Sequence, residues 1–128
     1  MSNNLMAGKR GLIMGLANDK SIAWGIAKSL ADQGAELAFT YQGDILLKRV
    51  KPLAESIGSD IILPCDVSSD EDIDTLFTTL EEKWGKLDFV VHAIAFSDRK
   101  ELKGKYYNTS RGNFNVALDI SCYSFTAV

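Results

Sequence analysis

Gly11-Leu12-Ile13-Met14-Gly15-Leu16-Ala17-Asn18-Asp19-Lys20-Ser21-Ile22-Ala23-Trp24-Gly25 changes its hydrophobic period partway along. Gly11-Leu12-Ile13-Met14 is a short apolar run that stops at Gly15, the pattern of a buried strand. From there Ile22, Ile26, Ala27 and Leu30 recur at helical spacing. The stretch therefore reads as strand, glycine loop, helix. Gly34 stands where a helix-ending glycine belongs, and Glu36-Leu37-Ala38-Phe39-Thr40-Tyr41 follows as a second strand.

The same unit recurs downstream. Residues 44–57 predict a helix that ends at Gly58, but Pro52 lies inside it, removing one hydrogen bond and crowding the preceding turn. A kink there, or a break into two shorter pieces, is expected. Residues 60–63 form a third strand, and Ser69 with Asp72 resembles a capping box in which Asp replaces the usual Glu or Gln. Ile73, Leu76, Phe77, Leu80 and Trp84 then make one apolar stripe, with the tryptophan read as core. Residues 87–93 are almost continuously apolar, as expected of a strand covered by helices on both faces. Residues 97–109 read as loop. After Ser110, an expected N-cap, Phe114, Leu118, Cys122 and Phe125 predict a buried helical face. Four strand–helix repeats without a hairpin signal predict a single α/β domain, a doubly wound parallel sheet in the order 3-2-1-4.

With 128 residues, 46% hydrophobic and 24% charged, the chain can bury one core. Its net charge of −3 gives no reason to expect nucleic acid or an anionic membrane surface. Lys48, Arg49 and Lys51 form the densest basic stretch and read as a solvated helix face. Cys65 and Cys122 have no metal-ligand spacing and are expected as buried thiols; no metal site is predicted. Residues 1–10 lack the apolar core of a signal peptide, and no apolar run is long enough to span a bilayer, so the cytoplasm is expected.

In open parallel sheets ligands bind beyond the carboxyl ends of the strands, where the crossover direction reverses. After strand one, Gly15 permits a tight turn, Ser21 offers a hydroxyl and an N–H at a helix start, and Gly25 permits close packing. These are ingredients for holding a pyrophosphate, although glycines that only serve a turn would look the same, and the loop is not Gly-x-Gly-x-x-Gly. After strand two, Gln42 stands where an acidic residue would bind an adenosine ribose; its amide can both donate and accept, and no Arg follows directly to favour a 2′-phosphate. After strand three, Asp66 can accept from the adenine amine while Val67 packs on the ring, or can simply serve a turn. After strand four, His92-Ala93-Ile94-Ala95-Phe96-Ser97 brings small residues where backbone approaches a ligand. His92, the only histidine, has no catalytic partner at a recognisable spacing and reads as structural.

Taken in order, Gly15-x5-Ser21-Ile22-Ala23-x-Gly25, residues 36–42, Cys65-Asp66-Val67, His92-Ala93-Ile94-Ala95-Phe96 and Asp119-Ile120-Ser121-Cys122-Tyr123-Ser124-Phe125 resemble enoyl-acyl-carrier-protein reductase, a divergent branch of the short-chain dehydrogenase/reductases. The resemblance runs over nearly the whole chain. It implies NADH as cofactor, with NADPH less favoured, and an enoyl thioester of acyl-carrier protein as substrate. By the same resemblance Gly15, Ser21 and Ile22 contact the pyrophosphate and adjoining ribose, Gln42 the adenosine side, and Asp66 and Val67 the adenine. Ile94 meets the ribose toward the nicotinamide, and Ser97 borders the acyl group. Ala95 stands where many members have glycine. A homotetramer is also implied, with the helix after Ser110 packing between subunits.

The family's catalytic tyrosine, followed seven positions later by a lysine, has no counterpart here. Tyr41 and Lys48 satisfy the spacing, but Tyr41 ends strand two on the adenosine side, so no catalytic residue is assigned. The expectation is a dinucleotide-binding domain, residues 1–128, that stops before the catalytic half: the final helix has no cap, and strand four is left as an apolar edge. Two alternatives stay open, a non-catalytic dinucleotide-binding module and a reductase acting on another carbonyl substrate.

Overall fold

The computed structural model describes residues 4–128, so the first three residues of the polar 1–10 stretch lie outside it. Strand β1 (Arg10–Met14) runs through the middle of a parallel sheet, with Leu12, Ile13 and Met14 fully buried. Strand β2 (Glu36–Tyr41) pairs with it on one side and β4 (Phe89–His92) on the other, while β3 (Ile61–Pro64) pairs with β2. The order is β3-β2-β1-β4, as the sequence predicts. The chain thus winds outward from β1 to β3 and then returns to the opposite side of β1. That return makes the carboxyl ends of β1 and β4 the reversal point of the sheet.

Alternation along β1 divides the core into two layers. Ile13 and Phe39 pack with Trp24, Ala27, Val50 and Ala54 of helices α1 (Ile22–Asp32) and α2 (Asp44–Ser56). Leu12, Met14 and Ala38 face the other way, onto Ile73, Leu76 and Leu80 of α3 (Asp70–Trp84). Each such fully buried large side chain contributes roughly 1.5–3 kcal/mol. The register is therefore fixed, because a one-residue slip of β1 would exchange both layers.

Helix α2 passes through Pro52 without a break. The proline removes only the bond to the Lys48 carbonyl, and both residues are exposed, so water can take that carbonyl. At α3 the capping box is half formed: Ser69 Oγ accepts from Asp72 N at 3.2 Å, but the Asp72 carboxylate accepts from Asp66 N at 2.9 Å. Aspartate is one methylene shorter than the usual glutamate, and it reaches the strand-three loop rather than the cap. At the outer edge, Pro64 ends β3 with no N–H to offer a passing strand.

The last third departs most from expectation. Strand β4 is shorter than residues 87–93 and Val90 remains 37% exposed, so the described residues do not cover both of its faces. Beyond it, α4 (Arg111–Leu118) passes through a wide π turn (Asp119–Tyr123) into α5 (Ser124–Ala127) with helical backbone throughout. Phe114, Leu118, Cys122 and Phe125, the face expected to be buried, are all exposed. The row one residue earlier, Asn113, Ala117, Ser121 and Ser124, turns inward instead. That row hydrogen-bonds the loop after β4 through Asn113 and Ser121, and the wide turn lets Ile120 join the core. Cys122 is consequently an exposed thiol, whereas Cys65 is buried as expected.

Glycines separate into those the fold requires and those it does not. A Cβ on Gly11 would lie 2.0 Å from the Phe89 ring, whereas a Cβ on Gly25 would meet nothing within 4 Å among the described residues. The close packing expected at Gly25 is therefore absent here. Gly11→Ala should lower stability by about 1–3 kcal/mol through overpacking, while Gly25→Ala, inside α1, should raise it by about 0.5–1 kcal/mol. Thermal melts of the two variants should move in opposite directions; equal shifts would contradict the assigned packing.

Candidate functional site

The first residue beyond β1 is Gly15, whose φ of +102° lies in the range that glycine alone adopts freely. A Cβ there would sit 2.0 Å from the Ala93 carbonyl oxygen, so two strand ends come together only because residue 15 has no side chain. Ala93 N donates to the Met14 carbonyl at 2.9 Å and holds the approach. Gly15, Ala93, Ile94 and Ala95 form the shared floor of two adjoining hollows at this point. One extends over Gln42, Cys65, Asp66 and Val67, and the other over Ser21, Ile22, His92 and Phe125.

Every residue expected to hold the cofactor thus lines a single continuous cleft. Ser97 does not. It lies in a separate depression among the residues before α4, where its Oγ accepts from Asn113 Nδ2 at 3.1 Å.

At the α1 end, Ser21 Oγ accepts from Ala17 N and Asn18 N, both at 3.1 Å, and so shapes the loop rather than capping its own helix. Its hydroxyl hydrogen is left to donate. The Ile22 and Ala23 N–H groups begin the helix, where no preceding carbonyl can reach them, and Ile22 is 81% exposed. Donors and the positive end of the helix dipole therefore coincide at the mouth of the cleft, an arrangement that favours an anion.

At the opposite end, Asp66 Oδ1 accepts from Ser68 N at 2.9 Å and Ser68 Oγ at 2.6 Å. These bonds, with a smaller contribution from the Gln42 amide, hold the carboxyl below its usual range. Asp66 is therefore a carboxylate acceptor at neutral pH, beside an amide that can donate or accept. Next to it, burial and then the charges of Asp72 and Asp66 push the Cys65 thiol up to about 11. That thiol is not a nucleophile near pH 7.

The β4 exit loop is pinned from one side by the inward row of α4 and its continuation. Ser121 Oγ accepts from Phe96 N at 2.9 Å and donates to the Phe96 carbonyl at 3.2 Å, while Asn113 Oδ1 accepts from Asp98 N at 2.9 Å. Buried Ser124 donates to the Ile120 carbonyl at 2.5 Å, so its one hydroxyl hydrogen is spent and it must accept from His92 Nε2–H at 2.8 Å. His92 also meets Phe125 edge-on, with ring centroids 5.6 Å apart. It is structural, as its lack of a catalytic partner suggested, although the serine 32 residues away was not foreseen. The roles of Asn113, Ser121 and Ser124 in gripping the β4 exit loop, and of Asp72 in holding Asp66 N, do not follow from the sequence, where Asp72 reads only as a cap partner. The only signal for the first three was a polar row at helical spacing, hidden beside a more apolar one.

Three outcomes test this geometry. In the native chain Cys122 should react readily with a disulfide reagent at pH 8 and Cys65 only on unfolding; early modification of Cys65 would contradict its burial. Because folding raises the Cys65 pKa, its contribution to stability is present below the ordinary value of 9.0 and lost as pH rises through about 11. Ser121→Ala should loosen residues 95–97, speeding amide exchange at Phe96 about tenfold while leaving the β1 amides protected.

Known proteins resemble this chain in sequence and in fold. A family model described as enoyl-(acyl carrier protein) reductase matches residues 15–128. Enoyl-acyl-carrier-protein reductase (NADH) 2 of Rhizobium meliloti (strain 1021) is 64% identical over 98% of this chain and 47% of its own length. The crystal structure of FabI from Candidatus Liberibacter asiaticus superposes with a TM-score of 0.95 at 58% identity, over 99% of this chain and 49% of that one. The reductase of Anaplasma phagocytophilum, solved in complex with NAD, gives a TM-score of 0.92 at 60% identity, over 95% and 47%. The chain spans about half the length of these relatives. With the family match covering most of its length, the chain belongs to the enoyl-(acyl carrier protein) reductase family.

Proposed function

We propose that the protein carrying this chain reduces the trans-2-enoyl thioester of acyl-carrier protein with NADH in fatty acid elongation, and that residues 1–128 are its dinucleotide-binding domain. The observation that carries the reading is the one cleft at the β1–β4 reversal lined by Gly15, Ser21, Ile22, Gln42, Asp66, Val67 and Ile94. A dinucleotide suits that set. Its pyrophosphate needs N–H and O–H donors, which Ser21 and the first N–H groups of α1 offer. Its adenine amine needs an acceptor, which the Asp66 carboxylate offers while Val67 gives an apolar wall. Neutral Gln42 suits a ribose hydroxyl, and no Arg follows it directly to hold a 2′-phosphate; NADPH is the less favoured partner. The NAD-bound Anaplasma relative and the NADH-named Rhizobium relative support the same choice.

When bound, the nicotinamide would supply the hydride that reaches the β-carbon of the enoyl thioester. What this chain contributes is position: the Gly15–Ala93 contact sets the floor, and Ile94 stands where the resemblance puts the nicotinamide ribose. Ser97 is proposed to border the acyl group on its way in. A donor already aimed at the thioester oxygen would stabilise the charge that develops there, and no residue of 1–128 is assigned that part. We place the tyrosine and lysine of the family pattern in sequence following Val128. A cytoplasmic homotetramer belongs to the same proposal. The exposed Phe114, Val116, Leu118 and Tyr123 support self-association along α4, and no helix among the described residues is long and apolar enough to cross a membrane.

The test is a titration of residues 1–128 with NADH. Saturable binding is expected, with no oxidation of NADH on adding a crotonyl thioester, and turnover by this chain would overturn the domain assignment. Asp66→Asn should weaken binding about 10–100-fold, the worth of a hydrogen bond to a charged group. Because the Asp66 pKa is lowered, affinity should stay level from about pH 8 to pH 5 and decline only below the usual carboxylate range near 4. An undiminished affinity in Asp66→Asn would remove Asp66 from the site.

A further inference from the structure

Three acids open helix α3, and they do not share one task. Asp70 and Glu71 are exposed in the first turn, where their charges already meet the positive end of the helix dipole. Asp72 is half-buried and reaches back to the preceding loop, its Oδ2 accepting from Asp66 N at 2.9 Å. The cap of α3 does not need that carboxylate. Ser69 Oγ accepts from the backbone N of Asp72 at 3.2 Å, a bond that any residue but proline at position 72 would keep.

What the Asp72 carboxylate does instead is fix the backbone of Asp66. Cys65 N donates to the Tyr41 carbonyl at 2.9 Å, so the loop leaves β3 tied to the end of β2. At the next residue Asp72 holds the N–H from the α3 side, and the Asp66 carbonyl accepts from Ser69 N at 3.0 Å. The peptide groups on both sides of the Asp66 Cα are therefore pinned, and with them the rotamers open to its side chain. Ser68 completes the arrangement, its N–H and Oγ both donating to Asp66 Oδ1, at 2.9 and 2.6 Å. Oδ2 is the oxygen that these two bonds leave for a ligand, in the hollow that Gln42 and Val67 also line. Of the two bonds to the Asp66 backbone, the one to Asp72 is made by a side chain, so a substitution can remove it alone.

A carboxylate oxygen recognises an amine by accepting from it, and repels a carbonyl oxygen put in the same place. Aim decides how strongly that difference is felt, because a hydrogen bond weakens steeply as its angle departs from linear. We propose that Asp72 is a positioning residue for the dinucleotide: it aims the Asp66 carboxylate, and so sets the preference for adenine over a base carrying oxygen in place of the exocyclic amine. The proposal rests on the reading of Asp66 as the adenine acceptor. Asp72 is not itself among the residues lining the hollow.

The experiment measures, in the protein carrying this chain, the Kd of NADH and of reduced nicotinamide hypoxanthine dinucleotide for the parent, Asp72→Ala and Asp72→Asn. The parent should bind NADH about tenfold tighter than the analogue, as expected of one hydrogen bond to a charged group. In Asp72→Ala that preference should fall to about threefold or less, through weaker NADH binding alone, with the analogue within about twofold of the parent. Asp72→Asn keeps an oxygen that can accept from Asp66 N, and should restore the preference to within about twofold of the parent. Equal losses on both dinucleotides would make Asp72 merely structural and overturn the proposal. So would an unchanged preference in Asp72→Ala, or an Asp72→Asn variant no better than alanine. Asp72→Ser, whose hydroxyl is one bond too short for the contact, replaces alanine if that variant does not fold. A parent that binds both dinucleotides equally would remove Asp66 from the adenine and the positioning role with it, whereas a discriminating parent with an indifferent Asp72→Ala strikes the positioning role alone.

Discussion

A Cβ on residue 15 would lie 2.0 Å from the carbonyl oxygen of Ala93, and most of the site follows from that contact. Parallel pairing of Met14 with His92 brings the ends of β1 and β4 side by side, and Ala93 N donates back to Met14. The strands can emerge this close only if the chain turns sharply at once, with φ at +102° and no side chain. Ile94 and Ala95 are then delivered to the floor of the cleft, and the loop of residues 15–21 is directed toward the start of α1. Chemistry at both ends of the cleft is a consequence of backbone geometry at its centre.

Two supports keep that centre in place, and both consist of polar groups hydrogen-bonded to the loops they hold. On the α3 side, Asp72 leaves its own cap to hold Asp66 N, and Ser68 holds the Asp66 carboxylate in its charged form. On the α4–α5 side, Asn113, Ser121 and Ser124 grip residues 92–98. No buried side-chain polar atom among the described residues lacks a partner, which is the condition for such a network to stiffen a site rather than weaken it. The stiffness matters because a cleft for an extended ligand must hold its two ends at a set separation.

Sequence reading served well where hydrophobic period and position agree. Leu12, Ile13 and Met14, the α1 to α3 stripes and the 3-2-1-4 order all follow from period and from crossover rules, and Gly15, Ser21, Gln42, Asp66 and Ile94 follow from lying at strand ends. It served poorly where polar groups decide. The rod from Arg111 offers an apolar row, Phe114, Leu118, Cys122 and Phe125, and a mixed row one residue earlier, and the mixed row turns inward, its polar side chains bonding the loop after β4. Pro52 misled for a related reason, since an exposed carbonyl can turn to water. Ser97 is a different case: its place near an acyl group rests on family likeness, while its observed partner is Asn113.

One ligand is proposed to span the cleft from the start of α1 to Asp66. Titrating the ¹⁵N-labelled chain with NADH and following its backbone amide resonances tests this most directly. Saturable shifts are expected at Ile22 and Ala23 together with Gln42, Asp66, Val67 and Ile94, all fitting one Kd, and none at residues 99–111. Shifts confined to one end of the cleft, or centred on residues 99–111, would contradict it.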